Sequence, residues 1–146
     1  MRLADALYMQ GDYTQALNFY KKSLERAART EIATTIAALN GVANSAYYLG
    51  NYDEALENYQ RSFDIQKTES DKLGLANALK GIGNVHRARG DYGAALESYF
   101  NSLHLSEEIK APLGTTLGSI GLVRALQGDY PQALEYYGKA LKDFEA

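Results

Sequence analysis

A seven-residue signal recurs four times in this chain at a nearly constant spacing. It reads GDYTQAL from Gly11 to Leu17, GNYDEAL from Gly50 to Leu56, GDYGAAL from Gly90 to Leu96 and GDYPQAL from Gly128 to Leu134. The glycines lie 39, 40 and 38 residues apart while the residues between them vary. A fixed period of this length specifies a stacked array, because one such unit cannot bury its apolar face alone.

Each signal sits between two apolar patterns of helical period. Before Gly50, the residues Leu39, Val42, Ala43, Ala46 and Leu49 recur at three- and four-residue steps, the spacing of one helix face. Leu79, Ile82, Gly83 and His86 keep that register before Gly90, as do Leu117, Ile120, Gly121 and Arg124 before Gly128. We call these the A helices. The B helices that follow carry Ala16, Tyr20 and Leu24, then Ala55, Tyr59 and Phe63, then Ala95, Tyr99 and Leu103, and finally Ala133, Tyr137 and Leu141. The glycine between them can take the positive φ that stops a helix. The next residue, Asp12, Asn51, Asp91 or Asp129, is of a type that caps the start of the following one. Small residues are expected where A and B helices approach most closely, with Ala43, Gly83 and Gly121 facing the alanines Ala16, Ala55, Ala95 and Ala133.

The set Leu39, Val42-Ala43, Gly50-Asn51-Tyr52, Ala55, Tyr59 and Ser62, repeated with small changes, resembles the tetratricopeptide repeat over essentially the whole chain. The period exceeds the roughly 34 residues of the common form. In this it is similar to the long repeats of kinesin light chains, Pins-type polarity adaptors and bacterial tetratricopeptide regulators. The resemblance implies an all-α fold, a right-handed α-solenoid of four antiparallel helix hairpins. It would form a single array over 1–146, with units at about 1–29, 31–69, 71–109 and 112–146. His86 and Arg124 depart from the family pattern, which often has Tyr there. The first A helix is short, and the last B helix keeps its apolar pattern with no more polar terminal helix after it. The expectation is a fragment of a longer array, with an edge covered by another chain as the alternative.

Charge and composition narrow the function. The net charge of −3 is spread evenly: residues 1–73 carry 8 basic and 10 acidic groups, and residues 74–146 carry 7 and 8. No basic stripe is present to follow a phosphate backbone, so a nucleic-acid partner is not expected. No apolar run approaches the length of a membrane span, and no membrane partner is expected. The chain has no cysteine, which removes disulfides and thiolate chemistry together. His86 and His104 share no helix face, so neither a metal site nor a catalytic centre is expected, and GIG at Gly81–Gly83 lies inside a helical pattern rather than after a strand. No cofactor is expected. The compartment is left open, with the cytoplasm favoured.

Binding residues emerge by subtraction. Of 12 tyrosines, eight occupy repeat-defining positions and are expected in the core: Tyr13, Tyr52, Tyr92 and Tyr130, with Tyr20, Tyr59, Tyr99 and Tyr137. Tyr8, Tyr47, Tyr48 and Tyr136 remain, and Tyr8 and Tyr47 share the position three residues before the glycine. The resemblance assigns that A-helix face to the concave groove. Along it run Asn40, Asn44 and Tyr47 in the second unit and Asn77, Lys80, Asn84 and Arg87 in the third, with Tyr8 from the first. The amides suit the backbone of an extended peptide. The two cations suit an acidic side chain or a C-terminal carboxylate.

The expectation is a non-enzymatic scaffold that binds a peptide segment of a partner protein in the concave groove. The alternative is an oligomerisation or sensor-coupling segment of a larger bacterial signalling or transcription regulator, with self-association through the exposed terminal helix.

Overall fold

The computed structural model describes residues 2–27 and 31–145. Among them eight helices follow one another and no strand occurs: α1 (Arg2–Met9), α2 (Tyr13–Ala27), α3 (Ile32–Tyr48), α4 (Tyr52–Thr68), α5 (Lys72–Ala88), α6 (Tyr92–Glu108), α7 (Gly114–Leu126) and α8 (Tyr130–Glu145). These are the expected hairpins, α1–α2, α3–α4, α5–α6 and α7–α8. The expected unit limits at residues 1, 29 and 146 lie outside the described residues. Contacts divide the chain into two compact units, 1–70 and 71–146. In the first, α2 packs against α1 and α3, and α3 against α4. In the second, α6 packs against α5 and α7, α7 against α8, and α5 also touches α7. The α1 helix has 8 residues where α3 and α5 have 17 each.

The glycine turns act as the sequence requires. Gly11, Gly50, Gly90 and Gly128 have φ of +82°, +79°, +79° and +82°. At the first, the Gly11 N–H donates to the Tyr8 carbonyl at 3.0 Å and the Asp12 N–H to the Leu7 carbonyl at 2.9 Å. This paired closure satisfies two carbonyls that the helix end would leave bare. The capping expectation holds at three of four positions. Carboxylates of Asp12, Asp91 and Asp129 accept from the N–H groups of Gln15, Ala94 and Gln132 at 3.2, 3.4 and 3.2 Å. Asn51 makes no such bond.

The turns between hairpins use other chemistry. Ser70 and Lys110 adopt positive φ without being glycine. Asp71 then caps α5 through Gly74 N–H at 3.0 Å. The start of α7 is capped from the B helix of its own hairpin, where Asp143 accepts from Leu113 and Gly114 N–H at 2.9 and 2.8 Å.

In the first three hairpins a tyrosine nine residues after the glycine organises the core. Tyr20 packs with Ala4, Ala16, Leu17 and Val42, and Tyr99 with Ala95, Leu96, Ile120 and Val123. Glycines on A helices make room for these rings. A Cβ on Gly41 would lie 2.5 Å from Tyr20 Cε1, and one on Gly83 would lie 2.7 Å from Tyr99 Cε1. The small A-helix residues therefore face tyrosine rings more than alanines, although Gly121, under Tyr137, also lies beside the Ala133 carbonyl. The four alanines are all buried. The expectation of eight core tyrosines needs correction in the last hairpin. Tyr20, Tyr59 and Tyr99 are buried and Tyr13, Tyr52 and Tyr92 half-buried, but Tyr130 and Tyr137 are exposed. Among the described residues no helix follows α8 to cover them.

Candidate protein-interaction surface

In the first unit the structure draws Tyr8 and Tyr47 into an aromatic cluster rather than a row of separate rings. Both meet Tyr48 edge to face, at 5.9 and 5.1 Å between centroids. Tyr48 in turn stacks on Tyr13 at 4.8 Å, and Tyr47 reaches Tyr52 at 6.1 Å. Tyr48, left unassigned by the sequence, is the hub of this cluster and is more than half exposed. The signal was its place next to Tyr47, since successive residues on a helix diverge by only about 100°.

Burial, and then the neighbouring Tyr48, push the Tyr8 phenol well above its ordinary range. Tyr20 is pushed up by burial and by Asp5, and Tyr59 by burial and by the charges that Tyr8, Tyr47 and Tyr48 would carry. The folded values lie above the unfolded ones, so the stability these phenols contribute is complete below about pH 10 and is lost as pH rises through the folded values. Denaturant midpoints are expected to hold steady from neutral pH to about pH 10 and to fall above it, while ultraviolet titration finds a late-ionising tyrosine fraction.

Asn44 and Asn84, six residues before their glycines, have a structural partner. Asn84 Oδ1 accepts from the Tyr99 hydroxyl at 2.5 Å, and Asn44 Oδ1 accepts likewise from Tyr59. In the first hairpin Asp5 holds the same register and accepts from Tyr20 at 2.5 Å. A carboxylate can only accept, which fixes the sense of the bond: tyrosine donates, and the amide oxygen stands in for the carboxylate in the next two hairpins. With the oxygen occupied by the tyrosine, each amide keeps its NH2 group as a donor. Each bond ties the A helix to the B helix of its own hairpin. The fourth hairpin has Leu122 at this register, opposite Tyr137.

The remaining residues keep to A-helix faces. Asn40 is half-buried on α3. On α5, Asn77 is exposed and Lys80 and Arg87 are half-buried, in line with Asn84 at steps of three and four. Lys80 Nζ donates to Thr115 Oγ1 on α7 at 3.3 Å. The opposite side of α5 is packed, with Ala78, Ile82 and Val85 buried. The eight residues thus fall into two groups: Tyr8, Asn40, Asn44 and Tyr47 in the first unit, and Asn77, Lys80, Asn84 and Arg87 in the second. His86 Nδ1 lies 4.0 Å from Asp91 Oδ2, and the exposed His104 Nε2 lies 3.1 Å from Glu108 Oε1. No described helix is long and apolar enough to cross a membrane.

Glycine-stopped helix hairpins, with the B-helix tyrosines of the first three bonded to their own A helices, define a helical-repeat protein. Two family models, both described as tetratricopeptide repeat, match residues 34–100 and 1–31, and the chain belongs to the tetratricopeptide repeat family. Among curated proteins it is 34% identical over 114 residues to the 43 kDa receptor-associated protein of the synapse from Tetronarce californica, covering 75% of this chain and 28% of that one. Among solved structures it superposes on a Rap protein complexed with Competence and Sporulation Factor with a TM-score of 0.88 at 17% identity, over 96% of this chain and 40% of that one. A putative kinesin light chain from Podosopora anserina with nearly identical repeats gives a TM-score of 0.77 at 15% identity, over 97% of this chain and 71% of that one. The chain therefore spans well under half the length of the synaptic protein and of the Rap protein.

Proposed function

We propose that this chain is a non-enzymatic protein-interaction module whose A-helix faces bind a peptide segment of a partner. The observation that carries the reading is the α5 face. It places Asn77, Lys80, Asn84 and Arg87 in one line on a helix whose opposite side is packed against apolar neighbours. Lys80 and Arg87 would hold an acidic side chain or a C-terminal carboxylate, and the Asn84 NH2 would donate to a peptide carbonyl. In the first unit, Asn40 and Asn44 would supply amides, and the tyrosine cluster around Tyr8 and Tyr47 would supply contact area at small entropic cost. Family membership supports the reading, as does the structurally similar Rap protein seen with a bound factor.

Peptides selected from a displayed random library against the immobilised chain provide the test. For a peptide bound through α5, Arg87→Ala is expected to weaken affinity by about 10- to 100-fold, the scale of one charge-assisted hydrogen bond. Neutralising the acidic group of the peptide should cost as much, and the two changes together no more than either alone. Equal affinity for the parent chain and for both Arg87→Ala and Lys80→Ala would sink the α5 assignment.

A further inference from the structure

The first unit sets a carboxylate beside its tyrosine cluster. Asp5 and Tyr8 stand one turn apart on α1 and project from one face of it. The Tyr8 ring meets Tyr13 and Tyr48 edge to face, at 5.2 and 5.9 Å between centroids. Asp5 is exposed, and its Oδ1 accepts from the Tyr20 hydroxyl. Its Oδ2 has no partner among the described residues. The charge on Asp5 is surplus to the fold, because the neutral amides of Asn44 and Asn84 accept the equivalent tyrosine bond in the next two hairpins.

We propose that Asp5, Tyr8 and Tyr48 form a site for an arginine side chain of the partner peptide. The inference rests on reading the A-helix face of the first unit as a binding surface, and names what that face takes. Its electrostatics are one-sided. The α3 helix carries no charged residue, Lys21 is paired with Glu54 at 2.6 Å, and Lys22 lies over the Phe19 ring. Tyrosine ring faces are the negative side of the ring quadrupole, so rings and carboxylate favour the same sign of ligand, a cation. A guanidinium group fits this pair best. It is planar, lies flat against aromatic rings and donates to a carboxylate through two N–H groups, whereas an ammonium is a strongly hydrated point charge.

The probes are short blocked glycine-serine peptides with a central arginine, lysine or citrulline, the last having the shape of arginine without its charge. Titrated to millimolar concentration into the isotopically labelled full chain, the arginine peptide is expected to shift the ring signals of Tyr8 and Tyr48 and the amides of α1. Affinity should fall about tenfold or more for citrulline, and by a similar factor for the chain carrying Asp5→Asn. That variant keeps an acceptor for Tyr20, as Asn44 does for Tyr59, so it should retain the parent circular dichroism spectrum and melting temperature. If it does not, Tyr48→Leu serves, since Tyr48 is exposed. Arg2→Ala, which removes a cation one turn from Asp5, should leave binding intact or strengthen it. Absence of shifts on α1 would overturn the inference, as would citrulline or lysine binding as well as arginine, or binding unchanged by Asp5→Asn. Library-selected peptides that still perturb α5 while the arginine probe leaves α1 silent would overturn this inference alone; silence of both units toward every peptide would overturn the wider reading as well.

Discussion

Gly41→Ala is expected to destabilise the chain by about 1–3 kcal/mol, and Gly83→Ala by a similar amount, the scale of overpacking a filled core. The added methyl would meet Tyr20 in the first case and Tyr99 in the second. Neither ring can simply swing away, because both are buried and each hydroxyl is held by an A-helix acceptor, Asp5 or Asn84. The same substitution should have the opposite sign elsewhere. Gly118 in α7 and Gly138 in α8 lie inside helices with nothing within 4 Å of an added Cβ. There alanine removes backbone freedom from the unfolded chain at no steric cost, and a gain of about 0.5–1 kcal/mol is expected. Urea midpoints of the four variants provide the check. A uniform gain across all four would mean that the tyrosine rings are not clamped as described.

Asn84→Ala is expected to cost about 1–3 kcal/mol, because it leaves the hydroxyl of the most deeply buried tyrosine without its acceptor. Tyr99→Phe should cost less, since the half-buried amide of Asn84 retains access to water. The double variant should lose less than the sum of the two, with a coupling of at least about 0.5 kcal/mol. Asn84→Asp keeps the acceptor that Asp5 already provides in the first hairpin, and should fold close to the parent stability. Additive losses in the cycle would show that the bond contributes nothing of its own. For the same reason, Asn84→Ala is a poor probe of ligand binding.

These two results bear on how much the sequence disclosed. The repeat, its turns and the four hairpins follow from Gly11, Gly50, Gly90 and Gly128, because only one backbone conformation joins two such helices so tightly and glycine is its natural occupant. The family resemblance rests on the same residues. The bonding of Asn44 and Asn84 to B-helix tyrosines was less legible. A polar residue on an A helix reads the same whether it faces a ligand or a neighbouring tyrosine. The spacing did hold a clue, since Asp5 and Tyr20, Asn44 and Tyr59, and Asn84 and Tyr99 each stand 15 residues apart. Ser70 and Lys110 could not have been picked out as left-handed turn residues, because their conformation is imposed by the paired helix ends and not by their own side chains. The tyrosine cluster depends on contacts between α1 and α3, which no helical period along one element reports.

The central claim is that the A-helix faces meet the partner and the B helices carry the fold. Amide chemical shifts of the isotopically labelled chain, followed as a library-selected peptide is added, test it most directly. Perturbations are predicted to centre on Asn77, Lys80, Asn84 and Arg87, or on Tyr8, Asn40, Asn44 and Tyr47, with the exposed B-helix residues Glu97, Asn101 and Glu107 unmoved. Perturbations confined to those B-helix positions, with both A-helix groups silent at saturation, would contradict it.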